Sequence, residues 1–169
     1  GKIVIDELGM TDEEIRGIKK IMIVACGSAY HTGVTSKYIF EGLARIPVEV
    51  DLASEFRYRD PIIEEGTMVI VISQSGETAD SLAALREAKK RGARVLGIVN
   101  VVGSSIAREA DNVMYTWAGP EIAVATTKAY SAQLVAHYLL AMKFAYVRGK
   151  LSDSELAEML EDLRRLPEQ

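Results

Sequence analysis

The stretch VIVISQSGET, residues 69–78, runs from an apolar strand pattern directly into three hydroxyl side chains around one glycine. The hydroxyls belong to Ser73, Ser75 and Thr78, and no lysine or arginine lies among them. At the mouth of a helix, where Gly76 lies, unpaired N–H groups and a partial positive charge are available to an anion. The loop therefore predicts a phosphate site made of amides and hydroxyls, which suits phosphate as a recognition handle rather than as a transferred group.

The same loop also has a purely structural interpretation. Serine and threonine are ordinary helix N-cap residues, and glycine is common where a strand turns into a helix. Neither G-x-x-x-x-G-K-S/T nor G-x-G-x-x-G occurs, so the usual signatures of nucleoside triphosphate and dinucleotide sites are missing. One loop of this kind does not decide between a helix start and a binding site.

Two further loops at predicted strand ends carry hydroxyls. After the first strand, CGSAYHTG supplies Gly27 for a tight turn and Ser28 for a hydroxyl and an N-cap. After the fifth, AGPEIAVATTKAY places Thr126, Thr127 and Lys128 at the start of the longest helical pattern. Ligands of open parallel sheets bind beyond the carboxyl ends of the strands, so these loops are the candidate walls of a site.

The elements that must position these loops alternate along the chain. Runs rich in β-branched and aliphatic residues are separated by helical patterns, and three of the runs are continuously apolar, as in strands buried on both faces of a parallel sheet. The predicted strands are 20–28, 48–53, 67–74, 94–100 and 112–118, and the main helices are 29–45, 77–91 and 126–149. We predict an α/β, doubly wound fold. The helical pattern at 126–149 is apolar on more faces than one sheet can cover, so we also predict a homodimer.

Capping signals mark a helix at each end of the chain. Thr11 with Glu14, and Ser152 with Glu155, have the spacing of capping boxes. The predicted order is a lead-in helix at 1–19, the α/β domain at 20–150 and a C-terminal linker helix at 151–169.

Composition narrows the class of protein. The 169 residues are 49% hydrophobic and 26% charged, and no apolar run approaches the roughly 18 residues of a membrane span. The first residues do not read as a signal peptide, and the single cysteine, Cys26, cannot form an internal disulfide, so we expect a cytoplasmic location. A net charge of −4 argues against nucleic acid as the main partner.

Four other side chains have both a chemical and a structural interpretation. Cys26 ends a buried strand and is interpreted as structural, because no histidine is fixed beside it. His31 in the first turn of its helix is interpreted as partly exposed, and His137 in the longest helix as a packing or dimer residue. Glu77 would serve as a base at the pocket mouth or stabilise a helix N-terminus, and we favour the second.

Four motifs in order, CGSAYH, ASEFRYRD, SQSGETADSL and EIAVATTKAYSAQL, resemble those of a sugar isomerase (SIS) domain. More narrowly, the chain is similar to the first of two SIS subdomains in the isomerase half of the glutamine–fructose-6-phosphate aminotransferases. The resemblance implies a flavodoxin-like three-layer sandwich with five parallel strands, a homodimer, no metal or organic cofactor, and fructose 6-phosphate or glucosamine 6-phosphate as ligand. It assigns Ser73, Gln74, Ser75 and Thr78, around Gly76, to the phosphate, and Ser28, Val124 and Thr126 to the sugar.

The sequence departs from the family's usual pattern in the first loop. The family reads C-G-T-S-Y there, so Ser28 stands in place of threonine and Ala29 in place of a sugar-contacting serine. Thr126 replaces a serine and keeps the hydroxyl. The glutamine-hydrolysing domain and the second SIS subdomain, which carries the groups of the isomerisation chemistry, have no counterpart here. We therefore expect a fragment or a split gene product that is inactive alone.

Three functions remain open on the sequence. The first is the phosphosugar-binding part of an aminotransferase that converts fructose 6-phosphate and glutamine into glucosamine 6-phosphate and glutamate. The second is a stand-alone SIS module that senses a phosphosugar without catalysis. The third is a flavodoxin-like FMN protein, which would share the fold class and a hydroxyl-rich phosphate loop.

Overall fold

A computed structural model describes residues 3–122 and 126–168. Five parallel strands form one sheet in the order β2-β1-β3-β4-β5. The strands are β1 Lys20–Ala25, β2 Val48–Leu52, β3 Thr67–Ser73, β4 Arg94–Val99 and β5 Asn112–Tyr115. The helices are α1 Asp12–Gly17, α2 Gly27–Leu43, α3 Ala53–Phe56, α4 Ala79–Lys90, α5 Ser105–Glu109, α6 Lys128–Val147 and α7 Asp153–Arg165, with short 3-10 turns at Asp6–Leu8 and Leu166–Glu168.

The central strands are buried along their whole length, as their continuous apolar pattern predicts. All seven residues of β3 are buried, and so are five of the six residues of β1. The pairing of Ile23 with Ile70, and of Ala25 with Ile72, sets these two strands in parallel register. The strand order is that of the flavodoxin-like sheet, so the predicted α/β doubly wound fold is confirmed.

Two strand ends differ from the prediction by three residues, and the other three differ by one residue. The first strand stops at Ala25 rather than at residue 28, because Gly27 has φ of 56° and already begins α2. The fifth stops at Tyr115 rather than at residue 118, and Trp117 leaves the sheet with φ of 52°. Both changes move the chain out of the sheet at its carboxyl edge, where the loops that follow gain room.

Helices cover both faces of the sheet. On one face, α2 and α6 pack over the sheet, and the rings of Phe40 and Phe144 meet edge to face with centroids 6.0 Å apart. On the other, α4 and α5 bring Leu85 and Ile106 against Val71. The result is a three-layer sandwich with a separate apolar cluster on each side of the sheet.

The N-terminal segment packs into the main core. Leu8 and Ile15 are fully buried in the cluster that contains the sheet residues, and the Arg94 guanidinium donates to the Gly9 carbonyl at 2.6 Å and to Glu14 at 2.8 Å. Both predicted capping boxes are present, at the starts of α1 and α7. The divisions at residues 19/20 and 150/151 stay predictions.

The apolar residues of the long helix α6 are explained by contacts within the chain. Ten of its residues are buried, some against α2 and the sheet, and others, such as Met142, against Leu156 of α7. The apolar surface that led to the prediction of a homodimer is therefore largely covered by the chain itself, and the dimer rests on the resemblance alone. Within the described residues, no helix combines the length and the apolarity needed to cross a membrane.

His137 on α6 is fully buried, which fits the packing role predicted for it. Its Nδ1 lies 2.7 Å from the Gln133 carbonyl oxygen, and its ring meets Phe40 edge to face. Burial disfavours the imidazolium and lowers the pKa of His137 to about 4, against the weaker opposing effect of the bond to Gln133.

We predict that His137 makes folding stability fall in mild acid. The unfolded chain takes up a proton near pH 6.5, whereas the folded chain resists protonation until about pH 4, so the unfolded state binds more protons in between. The His137→Gln variant should lose less free energy of unfolding than the wild type between pH 7 and pH 5, by about 2 kcal/mol in urea titrations. His31→Gln, at the exposed second histidine, is the control; equal pH slopes in all three proteins would contradict the prediction.

Candidate functional site

A cavity of about 360 Å³ opens at the carboxyl edge of the sheet, beyond β1 and β3. It brings together side chains from all three predicted loops. Its walls are Cys26, Gly27, Ser28, Ala29, Ile72, Ser73, Gln74, Ser75, Thr78, Glu121, Thr126 and Gln133.

The hydroxyls of the loop after β3 are held in a fixed arrangement. Ser73 Oγ accepts the N–H of Gly76 at 3.0 Å and lies 3.1 Å from the hydroxyl of Thr78. Ser75 Oγ accepts the N–H of Glu77 at 3.2 Å. We refer to residues 73–78 as the cradle loop. These hydroxyls are positioned by the turn itself and keep hydrogens and lone pairs for a further partner.

Gly76 shapes the cradle loop rather than forming its wall. Its φ is 67°, and a Cβ at this position would lie 2.5 Å from Ser104 Cβ and closer still to Ser104 Oγ. Its carbonyl accepts the N–H of Ile106 at 3.0 Å, and its own N–H is taken up by Ser73. Glycine is therefore required where the loop crosses the start of α5.

Three helices begin at this cavity, and each leaves its N-terminus without a side-chain cap. The N-cap residues are Cys26 for α2, Thr78 for α4 and Thr127 for α6, and among the described residues none of them accepts a first-turn N–H. The side chains of the cavity wall include no lysine or arginine among the residues that the structure describes. Positive potential in the cavity thus comes from helix ends.

The prediction that Ser28 is an N-cap is wrong. Because Gly27 begins α2, the N-cap is Cys26, and Ser28 lies within the first turn. Its hydroxyl instead points across the cavity and donates to Thr126 Oγ1 at 3.4 Å. The loops that follow β1 and β5 therefore meet at the cavity through these two hydroxyls.

The wall opposite the cradle loop is only partly what the sequence predicts. Ala29 places a methyl group on the cavity wall. Val124 lies outside the described residues. Gln133 was not predicted. It lies in the second turn of α6, and Thr126 precedes the N-cap of that helix, so helical spacing does not link the two residues. It is buried, with Oε1 3.5 Å from the Thr32 hydroxyl.

Glu77 stabilises a helix start, but not the one that follows it in sequence. Its two carboxylate oxygens accept the hydroxyl and the N–H of Ser105, each at 2.7 Å, at the beginning of α5. These bonds, first the hydroxyl and then the N–H, hold the pKa of Glu77 below its usual range. A carboxylate so engaged is a poor base, and Glu77 is not among the cavity walls.

The other candidate side chains divide between wall and interior. Cys26 lies on the cavity wall and is partly exposed. His31 is exposed on α2 away from the wall, and His137 is buried in α6. Across residues 3–122 and 126–168, no group of His, Cys, Asp or Glu is arranged to hold a metal ion.

A second hollow of about 620 Å³ adjoins the cavity. Both share Gln74, Ser75 and Glu121, so Glu121 lies on the boundary between them. Trp117, which is 73% exposed, forms part of the outer wall. Neither this hollow nor Glu121 was predicted from the sequence.

Known proteins with similar sequences and structures share this arrangement of elements. The glutamine–fructose-6-phosphate aminotransferase of Caldanaerobacter subterraneus subsp. tengcongensis is 60% identical over 167 residues, or 99% of this chain and 28% of that protein. That of Clostridium tetani is 62% identical over 166 residues, or 98% of this chain and 27% of that protein. The chain thus spans a little over a quarter of the length of these curated relatives.

Solved structures of related proteins are similar to the structure of this chain. The C-terminal domain of glucosamine-fructose-6-phosphate aminotransferase from Francisella tularensis superimposes with a TM-score of 0.88 at 43% identity, covering 91% of this chain and 43% of that one. Glucosamine-6-phosphate deaminase from Thermotoga maritima gives a TM-score of 0.73 at 27% identity, covering 92% and 48%.

The family match completes the comparison. Residues 14–143 match the family described as the SIS domain, and this range contains all five strands and every described residue of the cavity wall. The resemblance drawn from the four sequence motifs is confirmed. Because the match covers most of the chain and agrees with its parallel sheet, the chain belongs to the SIS domain family.

Proposed function

We propose that this chain is the phosphosugar-binding SIS unit of an isomerising glutamine–fructose-6-phosphate aminotransferase. The observation that carries the proposal is the cavity in which the cradle loop meets three uncapped helix starts, with no lysine or arginine on the described part of its wall. That arrangement suits a small dianion, and the curated relatives act, by their names, on fructose 6-phosphate and glutamine.

In this proposal the chain grips and orients the substrate. The phosphate lies against Ser73, Gln74, Ser75 and Thr78, and the sugar extends toward Ser28 and Thr126. Groups outside this sequence release ammonia from glutamine and move the protons between C1 and C2. Holding the sugar phosphate in one orientation is the contribution of this chain to the rate.

The setting of the chain is part of the same proposal. The glutaminase domain and the second SIS subdomain of the relatives are the partners that complete the enzyme. A homodimer and a cytoplasmic location follow from the resemblance and from the proposed place in hexosamine synthesis. The proposed reaction uses no metal or organic cofactor.

The cradle loop predicts selective binding of phosphorylated sugars. The chain should bind fructose 6-phosphate and glucosamine 6-phosphate but not fructose, in titration calorimetry. Ser75→Ala or Thr78→Ala should weaken binding by about 1.5 to 3 kcal/mol, or about 10- to 150-fold, because each removes a hydroxyl bonded to a charged group. Ser154→Ala on the distant helix α7 is the matched control; equal binding of fructose and its phosphate would refute the site.

Gly76 allows steric and electrostatic effects to be separated. Gly76→Ala should lower the melting temperature and weaken binding, because its Cβ overlaps Ser104 and its φ of 67° strains any side chain. Adding Ser104→Gly should restore part of both losses, because it removes the overlap and leaves the backbone strain. Gly76→Asp with Ser104→Gly should bind more weakly than Gly76→Ala with Ser104→Gly, because it adds a negative charge next to Ser75 of the cradle loop. Equal binding by the two double variants would show that the anion lies elsewhere.

Binding without turnover is the expected behaviour of the chain alone. We predict no glutamine hydrolysis and no interconversion of hexose phosphates above background, since the proposed chemistry uses groups outside this sequence. A coupled assay on the purified chain, run beside a full-length aminotransferase as positive control, measures this. Authentic turnover that follows the protein peak through a final column would overturn the proposed division of labour.

A further inference from the structure

Glu121 carries a carboxylate oxygen that lacks a partner. Its Oε2 is shut off from solvent, and among the described residues no group donates a hydrogen bond to it. The side chain lines the cavity beside the cradle loop and also the adjoining hollow. A buried acceptor without a donor is uncommon in folded proteins, and each instance calls for an explanation.

The chain just before Glu121 is anchored on both sides. Asn100 Nδ2 donates to the Gly119 carbonyl at 2.7 Å, and Lys128 Nζ donates to the Pro120 carbonyl. The backbone N–H of Asn100 in turn donates to the Gln74 carbonyl at 3.0 Å. Glu121 is therefore held at a defined position relative to the cradle loop rather than carried on a free segment.

The chemistry of a carboxylate restricts what Glu121 can bind. An ionised carboxylate only accepts hydrogen bonds, and a phosphate dianion likewise offers acceptors and negative charge. Glu121 therefore repels the phosphate itself and needs a donor, such as a hydroxyl. The other polar groups of the wall can both donate and accept hydrogen bonds, so they do not require a donor on the ligand. These groups are the hydroxyls of Ser28 and Thr126 and the amide of Gln133.

We propose that Glu121 is a specificity-determining residue whose enclosed Oε2 turns toward the cavity when the ligand enters and accepts a hydrogen bond from a hydroxyl of the ligand's carbon chain. This inference rests on the proposed function, since it takes the phosphate to lie in the cradle loop. Glu121 then favours phosphate monoesters of polyhydroxy compounds and disfavours inorganic phosphate, which offers negative charge and no carbon-bound hydroxyl.

The test compares two ligands on one variant. With Glu121→Gln, affinity for fructose 6-phosphate should fall roughly 10-fold, because a charge-assisted hydrogen bond is lost. Affinity for inorganic phosphate should stay constant or rise, because a like charge is removed. Glu64→Gln, an exposed glutamate at the opposite edge of the sheet, makes the same charge change and should alter neither affinity.

The outcomes separate this inference from the proposed function. If Glu121→Gln changes both affinities by the same factor, the role of Glu121 is wrong and the cradle stands. If the wild type binds neither ligand, or if Ser75→Ala leaves both affinities unchanged, the cradle is wrong and the inference falls with it. Binding of inorganic phosphate by the variant also shows that its cavity is folded.

Discussion

The parallel pairing of β1 with β3 is the constraint on which the site depends. Because Ala25 lies beside Ile72, the chain leaves both strands at the same edge and in the same direction. Each strand must then turn into a helix, so the starts of α2 and α4 meet there, joined by the start of α6. Hydrogen bonding in the sheet thus concentrates unpaired N–H groups in one place, and the described cavity wall adds no lysine or arginine to them.

The loops show what this arrangement requires locally. The turn after β3 passes so close to α5 that only glycine fits at position 76, beside Ser104. Glu77 then binds Ser105, which fastens the cradle loop to the next helix. The hydroxyls of Ser73 and Thr78 bond to each other rather than capping α4, so they are held in place while the helix end stays open. An uncapped helix start forgoes the stabilisation of a cap, but it leaves N–H groups available to a bound anion.

The sequence predicts the parts of this structure that depend on local patterns. Continuous apolar runs such as Thr67–Ser73 indicate buried parallel strands, and paired capping residues mark the starts of α1 and α7. Contacts between distant segments cannot be predicted from the spacing of residues within one segment. Glu77 meets Ser105 across 28 residues, Ser28 meets Thr126 across 98, and the position of Glu121 depends on how the loop after β5 folds back. The apolar surface of α6 suggested a partner chain because the packing of α7 against it was not visible in the pattern.

The described part of the cavity wall carries no lysine or arginine. This affects how other anions compete with the proposed ligand for the site. Nucleic acids and nucleotides are abundant polyanions, and a cluster of lysines and arginines attracts all of them over a distance of about a Debye length. The field of a helix end fades within about one turn, so it acts only on an anion that has already entered. In the proposed function, the net charge of −4 repels bulky polyanions, and the dimensions of the cavity suit a small phosphate ester. The proposed site would then select against nucleic acids and nucleotides before any contact with the sugar.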